Sequence, residues 1–290
     1  MMNRNLTKLG TLLTLSLLGF GIAHAGTGDT AVTPLAQETV ADEAKTQDSA
    51  DDLAKKLANP IANLISVPLQ YNYDENYGAN DSGSKSVLNI QPVAPFTLNE
   101  DWNVITRTII PLVDTNDVPQ GYSESGLGDI VASQFFSPKK PTAGGLIWGI
   151  GPVEMLPTAS HDTLGGEKWG LGPTIVGLQQ TGPWTVGLLA NHIWSVGGDP
   201  GRTDINATFL QPFVSYITTT KTTFTVNTES TYDWKGETWS VPVNVVVSQL
   251  LKVGSQIISV SAGARYWADS PENGPDGWGG RLVLTFLFPK

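Results

Sequence analysis

From Ile61 onward, apolar and polar side chains alternate one for one over long runs. In 223–234, Phe224, Val226, Thr228, Ser230, Tyr232 and Trp234 share one face, and Thr223, Thr225, Asn227, Glu229, Thr231 and Asp233 share the other. A second run sets Trp239, Val241, Val243, Val245 and Val247 against Ser240, Pro242, Asn244 and Ser248. A third sets Ile65, Val67, Leu69, Tyr71 and Tyr73 against Ser66, Pro68, Gln70, Asn72 and Asp74. Period-two alternation predicts strands with one apolar and one polar face. Elsewhere Gly and Pro dilute the pattern. Twelve strands are expected, at 64–74, 85–95, 102–113, 127–136, 144–156, 167–179, 184–195, 204–217, 222–234, 238–250, 256–267 and 278–288. Such lengths suit the ~9–11 residues of a tilted membrane strand better than the ~5–6 of an average soluble one. The expected fold is all-β, an antiparallel transmembrane up-and-down β-barrel occupying residues 61–290.

Connection lengths orient it. Loops 75–84, 114–126, 157–166 and 268–277 are long, and the connections between them are mostly shorter, with 235–237 as the exception. Outer-membrane barrels have short periplasmic turns and longer outside loops, so both termini are expected in the periplasm. The tryptophans agree. Trp169, Trp194, Trp234, Trp239, Trp267 and Trp278 fall at outer strand ends, and Trp102 and Trp184 at periplasmic ends, as an interfacial girdle requires. Trp148 alone falls inside a strand. The last strand alternates Leu282, Leu284, Phe286 and Phe288 with Arg281, Val283, Thr285 and Leu287, the kind of signal by which barrel-assembly machinery recognises its clients. Pro289 and Lys290 follow the final Phe.

Residues 26–60 are polar, acidic and low in aromatics, and are expected to form a partly helical periplasmic segment. Ser49 is placed to cap a short helix, with Asp51 and Asp52 in its first turn and Lys55 and Lys56 near its end. Leu53 and Leu57 share one face, and Pro60 closes the segment. That helix is expected to plug the barrel or rest on its rim. Before it, Arg4 and Lys8, an apolar stretch from Leu9 to Ile22 and Ala23-His24-Ala25 make a secretory signal peptide, residues 1–25.

The chain of 290 residues has no cysteine and a formal net charge of −10. Cleavage near Ala25 removes Arg4 and Lys8 and no acid, so the mature chain is more acidic still. Without disulfides, thiolate sites or a basic cluster, no cofactor, metal or nucleic-acid partner is expected. The expected partners are outer-membrane lipid, barrel-assembly machinery and a small-molecule solute.

Leu57-Ala58-Asn59-Pro60, Leu88-Asn89-Ile90-Gln91-Pro92, Asn99-Glu100-Asp101-Trp102-Asn103, Ile105-Thr106-Arg107-Thr108-Ile109-Ile110-Pro111, Gly126-Leu127-Gly128-Asp129-Ile130, Gly172-Pro173-Thr174, Asn191-His192-Ile193-Trp194-Ser195 and Phe209-Leu210-Gln211-Pro212-Phe213 together resemble a proteobacterial family. It is that of the outer-membrane transporters associated with meta-pathway phenol degradation. The resemblance covers about residues 53–290. It implies a Gram-negative outer-membrane barrel with a transport role and carries over no catalytic or ligand residue.

Ionisable side chains in mid-strand should face the lumen, because a basic residue facing lipid at mid-depth costs roughly 2–4 kcal/mol. This places Asn89, Gln91, Asn103, Arg107, Asn227, Glu229, Asn244 and Arg281 on the lumen wall, and Asp233 and Arg265 near the outer mouth. For any single residue, an internal ion pair takes precedence over a selectivity role, since buried charges are paired whatever the function. The rival classes are a membrane-embedded lipid-modifying enzyme and a structural or surface barrel. The former would draw on His161 near Ser160 and Asp162, or His192 near Ser195, but no Gly-x-Ser-x-Gly elbow is present. Passive passage of small solutes, hydrophobic or aromatic ones among them, through a narrow or partly plugged pore is the expected function, without enzymatic activity.

Overall fold

Residue Ile65 at the start of the first barrel strand pairs with Phe288 at the end of the last, which closes the sheet and puts both ends of the barrel chain on one side. The computed structural model describes residues 32–34, as backbone, and 49–289. The expected leader and most of the polar stretch before Ser49 lie outside the described residues. After β1 (Val32–Pro34) and α1 (Ala50–Leu57) come β2 (Ile65–Tyr77), β3 (Gly83–Ile90), β4 (Val93–Thr97), β5 (Trp102–Asn116), β6 (Glu124–Leu127) and β7 (Ile130–Pro138). They are followed by β8 (Leu146–Leu156), β9 (Lys168–Thr181), β10 (Trp184–Gly198), β11 (Asn206–Ile217), β12 (Thr222–Thr228), β13 (Ser230–Asp233), β14 (Thr238–Val253), β15 (Gln256–Asp269) and β16 (Gly277–Phe288). All pairings are antiparallel between neighbours, and β16 returns to β2. Three staves of the wall are each two strands in line: β3 with β4, β6 with β7, and β12 with β13. That gives the twelve staves of a closed barrel.

The three interruptions have one cause. Proline has no N–H for the ladder. Pro92 follows Gln91, whose own N–H bonds the Pro68 carbonyl opposite. Pro111 faces the gap at Gly128, and Pro212 and Pro242 flank the gap at Glu229 from both sides.

Outside, odd positions on β9 and β14 and even positions on β10 and β11 carry an exposed apolar belt. Trp184 and Trp194 both lie on it, ten residues apart on β10. At ~3.4 Å per residue and a tilt of roughly 45°, that separation spans about 25 Å along the axis, the height of a hydrocarbon core. Trp102 and Trp148 stack edge to face at 5.8 Å near the termini end, so Trp148, two residues into β8, belongs to the lower ring rather than to a strand interior. Trp169, Trp194, Trp234, Trp239 and Trp278 ring the far end, exposed. Trp267 corrects the expectation of a girdle. Position 267 has inward parity on β15, and its indole Nε1 donates to the Asp74 carboxylate at 2.8 Å inside the barrel. Its place at a strand end was legible, but not its face.

The segment before β2 enters the lumen. Ser49 caps α1 through a capping box with Asp52, the hydroxyl accepting from the Asp52 N–H at 3.2 Å. Leu53 buries against Leu250, Ile257 and Leu287, low on the inner faces of β14, β15 and β16, and Ala54 is buried as well. The Lys55 carbonyl accepts from Gln180 Nε2 at 2.9 Å, and Lys221 pairs with Asp51. Ile61 then crosses to pack on Ile105, Phe135, Val176, Leu178, Leu189 and Phe213. A full turn of helix thus sits within the foot of the barrel. The short strand β1, pairing with the end of β14, was not expected from a polar, partly helical segment.

Candidate functional site

The lumen has two unlike walls. On β7 to β10 the inward positions hold Val131, Phe135, Val153, Val176, Leu178 and Leu189, with Ser and Thr among them and small glycines between. From β12 round through β16 to β3 they hold Asn227, Glu229, Asn244, Arg265, Arg281, Asn72, Asp74, Lys85 and Asn89.

On the polar wall the charges form one network. Arg281 grips Glu229 with both terminal nitrogens, at 2.8 and 2.6 Å, and donates its Nε to Asn72 at 2.7 Å. A bidentate pair of this kind fixes both partners. Arg265 forms an ion pair with Asp74 at 3.2 Å and approaches Glu229 at 3.8 Å, while its guanidinium lies 4.7 Å from the Trp267 ring centre. Asn244, fully buried, donates to Asn227 at 2.8 Å. Arg107 stands on β5, where the polar wall meets the apolar one, and donates to Gln91 Oε1 at 2.7 Å.

The side chains of Asn89, Gln91, Asn103, Arg107, Asn227, Glu229, Asn244 and Arg281 all have inward parity. Asn103 lies lowest, opposite Ser137 and Thr97. Asp233 is exposed on the rim, accepting from the Lys235 N–H at 2.8 Å. Arg265 departs from its expected place. Asp74 and Glu229 draw it into the network, so it belongs with Arg281 rather than with the mouth.

Sequence reasoning missed the lock on the far end. The Asp129 carboxylate accepts the N–H groups of Thr158 and Ala159 at 3.1 and 3.2 Å and of Gly166 at 2.6 Å, holding loop 157–167 down. Arg202 adds donations to the carbonyls of Asp162 and Gly165. Gly126 leaves room for this, since a Cβ there would collide with the Ser160 hydroxyl. The signal was the Gly-Leu-Gly-Asp string at 126–129, a glycine-rich break ending in a carboxylate. Beside it, Asp204 is held below the usual carboxylate range, first by its hydrogen bond from Lys168 and then by one from Ser195.

The two histidines do not assemble a nucleophile. His192 faces outward, its Nδ1 2.7 Å from Thr208 Oγ1 and its ring 4.1 Å from Trp194. Ser195 points the other way, to Asp204. His161 Nδ1 lies 3.5 Å from Glu124. Among the described residues, no group of three His, Asp or Glu side chains is placed to hold a metal.

No family model matches the chain, and no curated protein matches it. Among solved structures it is similar to the COG4313 outer membrane channel from Pseudomonas putida F1, with a TM-score of 0.61 and 16% identity over 78% of this chain and 96% of that one. A NanC porin aligns with a TM-score of 0.48 and 12% identity over 77% of this chain and 98% of that one. The first likeness establishes the fold, a closed antiparallel barrel of the kind found in outer membranes.

Proposed function

We propose that the chain is a Gram-negative outer-membrane channel that passively admits small solutes, hydrophobic or aromatic ones among them. Residues 1–25 act as its export leader, 26–60 as a periplasmic segment and 61–290 as the barrel. The observation that carries the reading is a closed barrel with an apolar belt outside and a lumen that is polar on one wall and apolar on the other. Water and a polar group follow one wall while an apolar body follows the other. Likeness to an outer-membrane channel supports the compartment. The resemblance to transporters associated with phenol meta-pathways supports an aromatic cargo. Both lumen walls are lined, and α1 narrows the foot, so passage is slow and selective rather than porin-like.

Reconstitution tests it. Liposomes carrying the protein should take up phenol and small aromatic solutes faster than empty liposomes. Planar bilayers should show small, discrete conductance steps. Absence of both conductance and uptake sinks the channel reading, and recovery of the protein in the soluble periplasmic fraction sinks the membrane placement.

A further inference from the structure

Arg107 is the guanidinium that the lumen network leaves over. Arg281 spends its fork on Glu229, and Arg265 is taken by Asp74. Arg107 has, among the described residues, one hydrogen bond, to the neutral amide of Gln91, and no carboxylate within 4.0 Å. A guanidinium has five N–H donors in a planar fork, so most of its donors stay open.

Those donors border open space. Arg107 lies between two lumen cavities, a lower one of about 300 Å³ beside the N-terminal segment and an upper one of about 320 Å³. The upper cavity is amphipathic, with Leu189, Ile193 and Phe209 lining it from β10 and β11, Phe135 from β7 next to β5, and Arg107 and Gln91 supplying polar groups from the β5 side. An apolar wall facing a cation lowers the local dielectric and strengthens the pull on an anion. Glu229 borders the same cavity, but both of its oxygens are held by Arg281. Across this band the cations Lys85, Arg107, Arg265 and Arg281 outnumber the carboxylates Asp74 and Glu229, so a bound monoanion brings the lumen nearer to neutrality.

We infer that the upper cavity is a binding site for monocarboxylic acids with an apolar body, the carboxylate forked on Arg107 and the body lying against Leu189, Ile193 and Phe209. At ~30 Å³ for each water-sized group, the cavity admits a solute of about ten non-hydrogen atoms, such as benzoate or octanoate. The inference rests on the channel reading for the ligand's route, but not for the site.

The test is calorimetric titration of the full-length mature protein in lipid nanodiscs with benzoate and octanoate, and with the neutral benzamide and octanamide. The acids should bind at least tenfold more tightly than the amides. Arg107→Gln should bring acid and amide affinities within about twofold, and Arg107→Lys should keep part of the preference. Gln91→Glu supplies a second route that leaves Arg107 in place, since the new carboxylate occupies the fork and should abolish the preference. Heat-dependent gel mobility reports whether each variant folds. Equal binding of acids and amides by the wild type, or a preference that survives in folded Arg107→Gln or Gln91→Glu, overturns the site. Failure of the channel reading is distinguishable: acids then bind in nanodiscs while liposomes take up nothing.

Discussion

The β7–β10 wall and the wall from β12 round to β3 obey the same period-two geometry but are stabilised by opposite means. The first buries Val153, Val176, Leu178 and Leu189 inward while Ile150, Ile175, Val186 and Leu188 face out, so its strands are apolar on both faces. The second is apolar inside mainly at its foot, through Leu250, Ile257 and Leu287, and above them its inward side is tied by Arg281, Glu229, Arg265 and Asp74. Hydrophobic packing is non-directional and tolerates loss by degrees. A buried ion pair is cooperative and fails sharply when one partner goes. Loss of one side chain should therefore hurt the charged wall more than the apolar wall.

The largest expected effect is Arg281→Met. It leaves the Glu229 carboxylate without its bidentate partner and should cost about 3–5 kcal/mol in denaturant unfolding from detergent. The double variant Arg281→Met with Glu229→Gln should recover most of that loss, because the uncompensated charge has gone. A single-variant cost no larger than that of an apolar truncation breaks the comparison.

Leu178→Ala is that truncation. The residue is buried among Ile61, Phe135 and Phe213, so its removal opens a cavity and should cost about 2–4 kcal/mol in the same assay. Because Ile61 rests on the same cluster, the variant should also loosen the N-terminal segment and raise conductance. An unchanged conductance would show that α1 alone, through Leu53, holds the segment in place.

The tryptophans sharpen the contrast between inside and outside. Trp267→Phe removes the indole donor to Asp74 and weakens the stacking of Arg265, and should cost about 1 kcal/mol whatever the lipid. Trp278→Phe, on an exposed outward ring, should stay within about 0.5 kcal/mol. Unfolding in bilayers of two thicknesses separates the two, since only the outer ring senses the headgroup level.

The same contrast governs what the sequence could reveal. The three clean alternations, 65–74, 223–234 and 239–248, all lie on the charged wall, where inward residues are polar and outward ones apolar. On β8, β9 and β10 both faces are apolar, so period two is nearly invisible, and glycines and turn residues alone marked the strands. Strand positions and closure were legible because length and alternation are local properties. The inward turn of Trp267, the recruitment of Arg265 and the crossing of Ile61 depend on partners far away in sequence, 193 residues for Trp267 and Asp74. The strand breaks at Gln91, Gly128 and Glu229 were encoded by Pro68, Pro92, Pro111, Pro212 and Pro242. Reading them required knowing which strands are neighbours.

The N-terminal segment joins the two walls, and the effect expected there is small and local. Leu53 sits at the foot of the charged wall and Ile61 on the apolar one, so the capping box at Ser49 sets how firmly the bridge is held. Asp52 is held below its usual range, first by the Ser49 hydroxyl, with burial opposing. A depressed folded pKa means that the stabilisation is complete above the ordinary Asp value of ~3.9 and is lost as pH falls through the folded one. Acidification from about pH 5 to about pH 3 should therefore speed amide hydrogen exchange at Leu53 to Leu57. Asp52→Asn should flatten that response, and Ser49→Ala should weaken the helix by about 1 kcal/mol at neutral pH. If the acid response persists undiminished in Asp52→Asn, the cap is not what loosens the bridge, and the seat of Leu53 against Leu250, Ile257 and Leu287 must be.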